Sequence, residues 1–313
     1  MKIAAVVVTY NRKVLLQECL DAILNQTEKV DLLVVIDNAS IDGTDKLFEK
    51  GAKYDLPCVD YRRMKDNLGG AGGFYEGVKY SYSVDADWVW IMDDDTIPTH
   101  MALQEFYNAL DVIEEESSFL ASSVFGMNNE PMNVPELDNR RSGNGYQDWY
   151  KYLDDGILKI EDATFVSLLI NKKAIAKVGF PYKDLFIWGD DKEYTLRLSR
   201  HFGPAYMCGK SIVVHKRVIA KRISIENAED PKRIAQYYYN YRNILVNTKE
   251  YRRGTLAVIK QIVMFNILCV KILKDKKQTH KWKKVSIIHK GIWGYLLGTY
   301  NREKFKHRFD ISE

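Results

Sequence analysis

The chain opens on an uninterrupted aliphatic run, Ile3 to Val8, whose lack of polar alternation predicts a strand covered on both faces. From Val14 to Leu24, Leu15, Leu16, Cys19, Leu20 and Ile23 recur at helical spacing, and Leu32 to Ile36 is a second buried run. The alternation continues with an expected helix at Asp42 to Lys50, a short strand at Cys58 to Arg62, a helix at Gly72 to Tyr82 and a strand at Trp88 to Met92. Strand and helix in strict alternation specify an α/β fold, a mainly parallel sheet flanked by helices, with ligands beyond the carboxyl ends of the strands. Three polar segments occupy those ends: Thr9 to Arg12, Asp37 to Asp42 and Asp93 to Thr96.

From Glu130 to Gly156 periodicity fades and prolines and glycines punctuate a long irregular stretch of the sort that often carries function. Regular structure resumes at Ala163 to Ile170, a helix near Lys172 to Val178, a polar cluster at Trp188 to Tyr194 and a strand at Ser211 to Val214 ending in His215. Beyond Pro231 the pattern is helical. The longest apolar stretch, Leu256 to Leu273, is broken by Lys260, Gln261, Asn266 and Lys271, which argues against a membrane span. The N-terminal apolar run is too short for a signal peptide, so a cytoplasmic location is expected. No internal repeat or low-complexity segment is present.

Charge refines this picture only when divided. The 313 residues carry a net +4, which implies no partner by itself. From Tyr251 onward, however, fifteen Lys and Arg face four Asp and Glu, a balance of +11, so the preceding residues carry −7. A basic helical tail with Phe265, Trp282, Trp293, Tyr295 and Tyr300 suits an anionic membrane surface. The competing readings are a solvated helix face or an oligomer interface; no nucleic-acid fold accompanies the tail. Cys19, Cys58, Cys208 and Cys269 are scattered, without metal-ligand spacing, and read as reduced thiols.

The chemistry concentrates at strand ends. Asp93, Asp94 and Asp95 follow an apolar strand, and residues two apart on extended backbone point the same way, so Asp93 and Asp95 can converge on one hard cation such as Mg²⁺ or Mn²⁺. Asp37 is placed to accept from ribose hydroxyls or a base N–H, while Asp42 or Ser40 is placed to cap the next helix. Asn67 to Phe74 is a glycine-rich opening to a helix, where backbone can approach phosphate; a tight turn would use the same glycines. In Trp188 to Tyr194 a carboxylate beside an aromatic has the makings of a general base, and Trp188 offers a stacking face for a sugar. His215 after a strand is a third ligand or a structural residue. The tyrosines of Tyr237 to Tyr241 read as packing, with Arg242 in reach of a phosphate.

These segments, Val7 to Arg12, Ile36 to Ser40, Asn67 to Phe74, the Asp93 to Asp95 triplet, Trp188 to Tyr194 and His215, occur in the order found in inverting family 2 glycosyltransferases of the GT-A fold, which the chain resembles over about residues 3 to 217. The glycine loop with the triplet is similar to the bacterial galactofuranosyltransferase branch. The resemblance implies that Thr9, Asn11, Arg12 and Asp37 surround the nucleotide, that Asn67, Gly69 and Gly70 line the diphosphate and sugar with Asp94 and Trp188 also on the donor, and that Asp93, Asp95 and His215 hold Mn²⁺ or Mg²⁺. Asp191 matches the base, with Asp190 and Glu193 orienting the acceptor; Gly189 lengthens the spacing after Trp188, which leaves Asp190 against Asp191 open.

The expectation is a GT-A catalytic domain at residues 1–225 and a helical basic C-terminal region at 226–313. The expected activity is transfer of galactofuranose from UDP-galactofuranose to a glycan acceptor, lipid-linked at the inner face of the membrane, in surface polysaccharide synthesis. Rhamnose from dTDP-rhamnose is the alternative donor, and a non-catalytic membrane-docking relative the alternative class. A nucleotidyltransferase would want a stronger triphosphate-gripping loop than Arg12 and Lys13 provide.

Overall fold

The computed structural model describes residues 1–217, 224–251 and 254–300. The first run forms β1 (Ile3–Thr9), buried at every position. It is followed by α1 (Lys13–Leu24), β2 (Leu32–Asp37), β3 (Val59–Arg63), α2 (Gly69–Ser83), β4 (Trp88–Asp93) and a short β5 (Thr96–Pro98). Then come α3 (Ala102–Val112), β6 (Phe119–Phe125), β7 (Glu136–Leu137), β8 (Ile157–Asp162), β9 (Leu168–Asn171), α4 (Lys172–Val178), α5 (Asp190–His201) and β10 (Ala205–His215). Three long helices end the description: α6 (Pro231–Tyr251), α7 (Gly254–Lys274) and α8 (Lys281–Leu297).

One sheet runs in the order β3-β2-β1-β4-β9-β6-β10-β8-β7, with β5 paired to β10. The strands β3, β2, β1 and β4 are mutually parallel, as are β6 and β10, whereas β9 lies antiparallel to both β4 and β6. The sheet is therefore mixed around a parallel core. Alternate residues of β1 feed two layers: Ile3, Ala5 and Val7 pack with Leu16 and Leu20 of α1 and Phe106 of α3, and Val6 and Val8 pack with Phe74 and Val78 of α2. That two-sided burial is why the run lacks alternation.

Several expectations are corrected. The helix at Asp42 to Lys50 reduces to one 3-10 turn, Asp45–Leu47, because Gly43 takes a positive φ of 79° and Asp42 turns back on Thr44. Asp42 instead accepts from the backbone N–H of Lys13 at 2.9 Å, satisfying a free donor in the first turn of α1. Ala163 to Ile170 is a turn leading into β9, and β10 is much longer than Ser211 to Val214. The helix expected from Gly72 begins three residues earlier, since Gly69 to Gly73 form the first turns of α2.

The C-terminal helices share a core of their own, with Ile234, Tyr241 and Leu245 of α6, Phe265 and Cys269 of α7, and Ile288 and Ile292 of α8. The apolar stretch Leu256 to Leu273, whose interruptions argue against a span, lies within the helix α7, which is long and apolar enough to cross a membrane by length and composition. Its four polar residues are outweighed by the aliphatic ones, and only 22% of its most apolar window is buried. Arg242 is buried and donates to the carbonyls of Asp184 at 2.8 Å and Leu185 at 3.1 Å, so it is spent on the fold and is not available to a phosphate.

Candidate active site

The carboxyl ends of β1, β2 and β4 bring their polar segments together because the three strands are neighbours in parallel register, Thr9 beside Asp37 and Val8 beside Asp93. Thr9 Oγ1 donates to Asp94 Oδ2 at 2.7 Å. Asn11, at φ 53°, accepts from Ile41 N at 2.7 Å and donates its backbone N–H to Ser40 Oγ at 2.9 Å, which ties the two strand-end loops to one another. Asp37 is fully buried; one oxygen accepts from Ser40 N at 2.8 Å and the other from the Tyr61 hydroxyl at 2.5 Å. Tyr61 itself stacks on Phe48, with ring centroids 4.2 Å apart.

The aspartate triplet is the electrostatic centre. Arg12 reaches Asp95 at 2.6 Å and Asp94 at 3.2 Å. Burial raises Asp93 well above the carboxylate range, with Asp95 and Asp94 adding repulsion, and burial raises Asp94 to about 6. Asp95 moves the other way: burial opposes its charge, but His215 and Arg12 together hold it below its ordinary value. The antiparallel ladder of β10 on β5 sets His215 opposite Thr96, and its Nε2 lies 3.2 Å from Asp95 Oδ1.

Asp93, Asp95 and His215 offer one ligand atom each, all within 4.8 Å of one another. Two facts fit them to a divalent cation. Among the described residues Asp95 Oδ1 is buried without a hydrogen bond, the contact with His215 lacking the geometry of one. His215 Nδ1 lies 2.9 Å from Asn133 Oδ1, which can only accept, so a neutral ring held in this way would keep its proton on Nδ1 and leave Nε2 as the atom for a metal. The two carboxylates suit Mn²⁺ or Mg²⁺, and of these the imidazole favours the softer Mn²⁺.

The first turn of α2 closes the opposite side. Asn67 Oδ1 accepts from Gly69 N at 2.8 Å, and Asn38 Nδ2 donates to Gly69 O at 3.1 Å. Gly69 is at φ 73°, and a Cβ there would stand 2.1 Å from Phe186 O, so the segment before α5 and the start of α2 can meet only at a glycine. Gly70 by contrast faces open space.

The segment 183–189 leads into α5 and is gripped by α6. Asn243 Nδ2 donates to the carbonyls of Leu185, Ile187 and Trp188, the last at 2.7 Å, and Asn247 Nδ2 donates to Gly189 O at 2.8 Å. Trp188, at φ 61°, packs on Tyr237 with centroids 4.9 Å apart and beneath the Arg233 guanidinium at 4.4 Å. Gly189 at φ 88° then turns the chain so that Asp190 and Asp191 begin α5. Asp190 is 6% exposed, and burial with repulsion from Asp191 raises it to about 7. Asp191 is half-buried, accepts from Lys192 N at 2.7 Å and is raised to about 6, chiefly by burial. Asp190 adds to the field that raises Asp93, so the carboxyls at the start of α5 and the triplet share one electrostatic neighbourhood.

Glu193 departs from the acceptor-orienting place expected for it. It is 1% exposed and bound inside the protein by Arg197, 2.9 Å away, and by the Tyr251 hydroxyl at 2.7 Å. The other residues singled out from sequence gather at the strand ends or on the segment facing them. Sequence reasoning passed over Asn133, Asn243 and Asn247. Nothing in the irregular stretch marks Asn133, whereas the two asparagines lie four apart on one face of a helix and could have been read as a polar stripe.

Comparison with known proteins agrees with this geometry. The chain is 27% identical over 253 residues to the galactofuranosyltransferase GlfT1 of Mycolicibacterium smegmatis, covering 77% of this chain and 81% of that protein. It is 35% identical over 111 residues to the abequosyltransferase RfbV of Salmonella typhimurium, 34% and 32% of the two chains. Among solved structures, the mannosyltransferase PcManGT from Pyrobaculum calidifontis, in complex with GDP-Man and Mn²⁺, superposes with a TM-score of 0.54 at 15% identity, covering 95% and 87%, a likeness of fold. Residues 4–175, more than half of the length, match the family Glycosyl transferase family 2, and with the GT-A sheet and its acidic strand ends in place the chain belongs to that family.

Proposed function

We propose that the chain is an inverting, metal-dependent transferase that moves galactofuranose from UDP-galactofuranose to a glycan acceptor in bacterial surface polysaccharide synthesis. In this reading residues 1–225 are the catalytic domain, and 226–313 bring it to a lipid-linked acceptor at the cytoplasmic face of the cell membrane. The observation that carries the proposal is the pairing of the Asp93, Asp95 and His215 ligand set with a separate carboxylate cluster at the start of α5. A single displacement needs such a pair: one group to take the acceptor proton, the other facing the leaving diphosphate. The galactofuranose donor rests on the likeness to GlfT1 across three quarters of the chain.

Thr9, Asn11, Arg12 and Asp37 receive the nucleotide, and Asn67, Gly69 and Gly70, with Asp94 and Trp188, flank the diphosphate and sugar. Mn²⁺ or Mg²⁺, held by Asp93, Asp95 and His215, supplies Lewis-acid stabilisation of the leaving diphosphate. Asp191 is the base, because it is the more exposed member of the pair, whereas Asp190 is buried and is raised by that burial and by the charge of Asp191. Glu193 acts indirectly, by fixing α5.

The partial likeness to an abequosyltransferase favours a second reading, a deoxyhexose donor such as dTDP-rhamnose. A panel of UDP- and dTDP-sugars with Mn²⁺, scored by nucleoside diphosphate release, separates the two. Release of UDP from UDP-galactofuranose alone is the expected result; turnover only with dTDP-rhamnose replaces the first reading with the second, and binding without turnover of any donor favours a non-catalytic docking role.

A further inference from the structure

The helix α7 carries two apolar stripes. Val258, Phe265, Cys269 and Ile272 are buried in the core shared with α6 and α8. Leu256, Ile259, Val263, Ile267 and Val270 are at least half exposed, and at 3.6 residues per turn they fall within an arc of about 80° on the opposite side. On α8, Trp282, Trp293 and Leu297 are likewise exposed and share one face, at 77%, 59% and 75%. His289 Nε2 lies 3.3 Å from Asn266 Oδ1, which sets the two outward faces side by side. The same segment is basic: residues 254–300 hold nine lysines against one acid, Asp275, of the nine only Lys284 is buried, and Lys271 is paired with Glu226 at 2.9 Å.

We infer that this double face seats the chain on an anionic lipid surface, with α7 and α8 lying in the plane of the interface. The inference rests on the peripheral contact proposed above and gives it a site. Apolar residues flanked by lysines and edged by tryptophan match the boundary between headgroups and acyl chains. A span is the poorer fit although α7 is long enough, because its other stripe is packed against α6 and α8, and insertion would carry their charged side chains into hydrocarbon. A second copy of the chain would cover the aliphatic stripe but leave like-charged lysines facing one another.

Flotation of the full chain with vesicles of phosphatidylglycerol and phosphatidylcholine, against phosphatidylcholine alone, tests the seat. Binding roughly tenfold stronger to the anionic vesicles and weakened by high salt is expected. The exposed triple substitution Ile259→Ser, Val263→Ser, Ile267→Ser should lower the bound fraction about tenfold with unchanged circular dichroism, and Lys276→Gln with Lys277→Gln should weaken only the anionic preference. In the unsubstituted chain, quenching of tryptophan by lipids brominated near the headgroup more than by lipids brominated deep in the acyl chain is expected, and loss of that signal in Trp293→Phe assigns it. No flotation, an unaffected triple variant, or deep quenching with resistance to alkaline extraction overturns the inference; so does a dimer in sedimentation that the triple variant dissolves. Transfer to a soluble acceptor should persist in the triple variant, so a failure of donor chemistry and a failure of membrane seating are read separately.

Discussion

His215 Nε2 stands 3.2 Å from Asp95 Oδ1, brought there by the antiparallel pairing of β10 with β5. That register brings a strand-end histidine to Asp93, at the end of β4, and to Asp95, in the turn before β5, as the third member of the proposed ligand set, with Asn133 on its other ring nitrogen. His215→Ala should therefore weaken Mn²⁺ binding by about 100-fold, and Asn133→Ala by roughly 10-fold, since outer partners of metal ligands typically contribute 10- to 100-fold. Calorimetry or the loss of free Mn²⁺ signal in electron paramagnetic resonance gives both numbers. Undiminished affinity in His215→Ala would remove it from the ligand set.

With Asp191 as the proposed base, the raised carboxyls at the start of α5 should make transfer depend on pH. A base must be deprotonated, and Asp191 is raised to about 6 and Asp190 to about 7, so kcat should fall as the pH drops through that window. Asp191→Asn should abolish transfer while donor binding, followed by fluorescence, is kept. A flat profile between pH 5 and 8 in a chain that still turns over would exclude the pair as the titrating group.

Stability provides an independent reading of Asp190. Its carboxyl is raised from 3.8 to about 7 by burial, so between those values the folded chain holds a proton that the unfolded chain releases. The residue then lowers stability progressively as pH rises across the window, and the loss is complete above it. Asp190→Asn should accordingly raise stability at pH 8, on the order of 2 kcal/mol, and leave it nearly unchanged at pH 4. Thermal unfolding at the two pH values measures the difference; an equal effect at both would mean that the gain is not electrostatic.

The parallel half of the fold was legible because two-sided burial writes itself as unbroken aliphatic runs, as in β1 and β2. The acids after those runs were legible for the same reason, since strand ends converge wherever adjacent strands are parallel. Less was readable where position depends on distant partners. The start of α2 is expected three residues late because glycine is a poor helix former, yet a Cβ on Gly73 would stand 2.4 Å from Val8, so the composition reflects the closeness of α2 to β1. The Asn243 and Asn247 grip on the segment before α5 pairs residues far apart in the chain, which no local pattern encodes.

That close approach is open to test by adding one methyl group. Gly73→Ala should destabilise the fold by about 1–3 kcal/mol, the usual result of overfilling a close-packed layer. Gly69→Ala meets the carbonyl of Phe186 and needs a left-handed backbone, so it should move the segment leading to Asp190 and lower kcat as well as stability. Gly70→Ala, which faces open space, is the control for both: its fold should be unaffected, and any change should appear in the KM for the donor.

Glu193 sits two residues beyond Asp191, so a direct role with the acceptor and a structural role make opposite predictions. If Glu193 met the acceptor, Glu193→Gln would raise the acceptor KM and leave stability alone. The structure assigns it instead to a buried pair, Glu193 1% and Arg197 3% exposed, extended by the Tyr251 hydroxyl and by Arg197 donating to the carbonyls of Val178 and Phe180. Removing one charge from such a pair leaves the other buried and unmatched, a cost of about 3–5 kcal/mol, whereas replacing both with apolar groups of similar volume is close to neutral. Arg197→Met should thus lower the denaturant midpoint sharply, Glu193→Leu with Arg197→Met should recover most of it, and Tyr251→Phe should cost about 1 kcal/mol. Because Tyr251 ends α6 and Glu193 belongs to the first turn of α5, the same substitutions report whether the C-terminal helices hold the base in place. In the recovered double variant kcat should remain below that of the original chain while the acceptor KM stays unchanged, a split that contact between Glu193 and the acceptor would reverse.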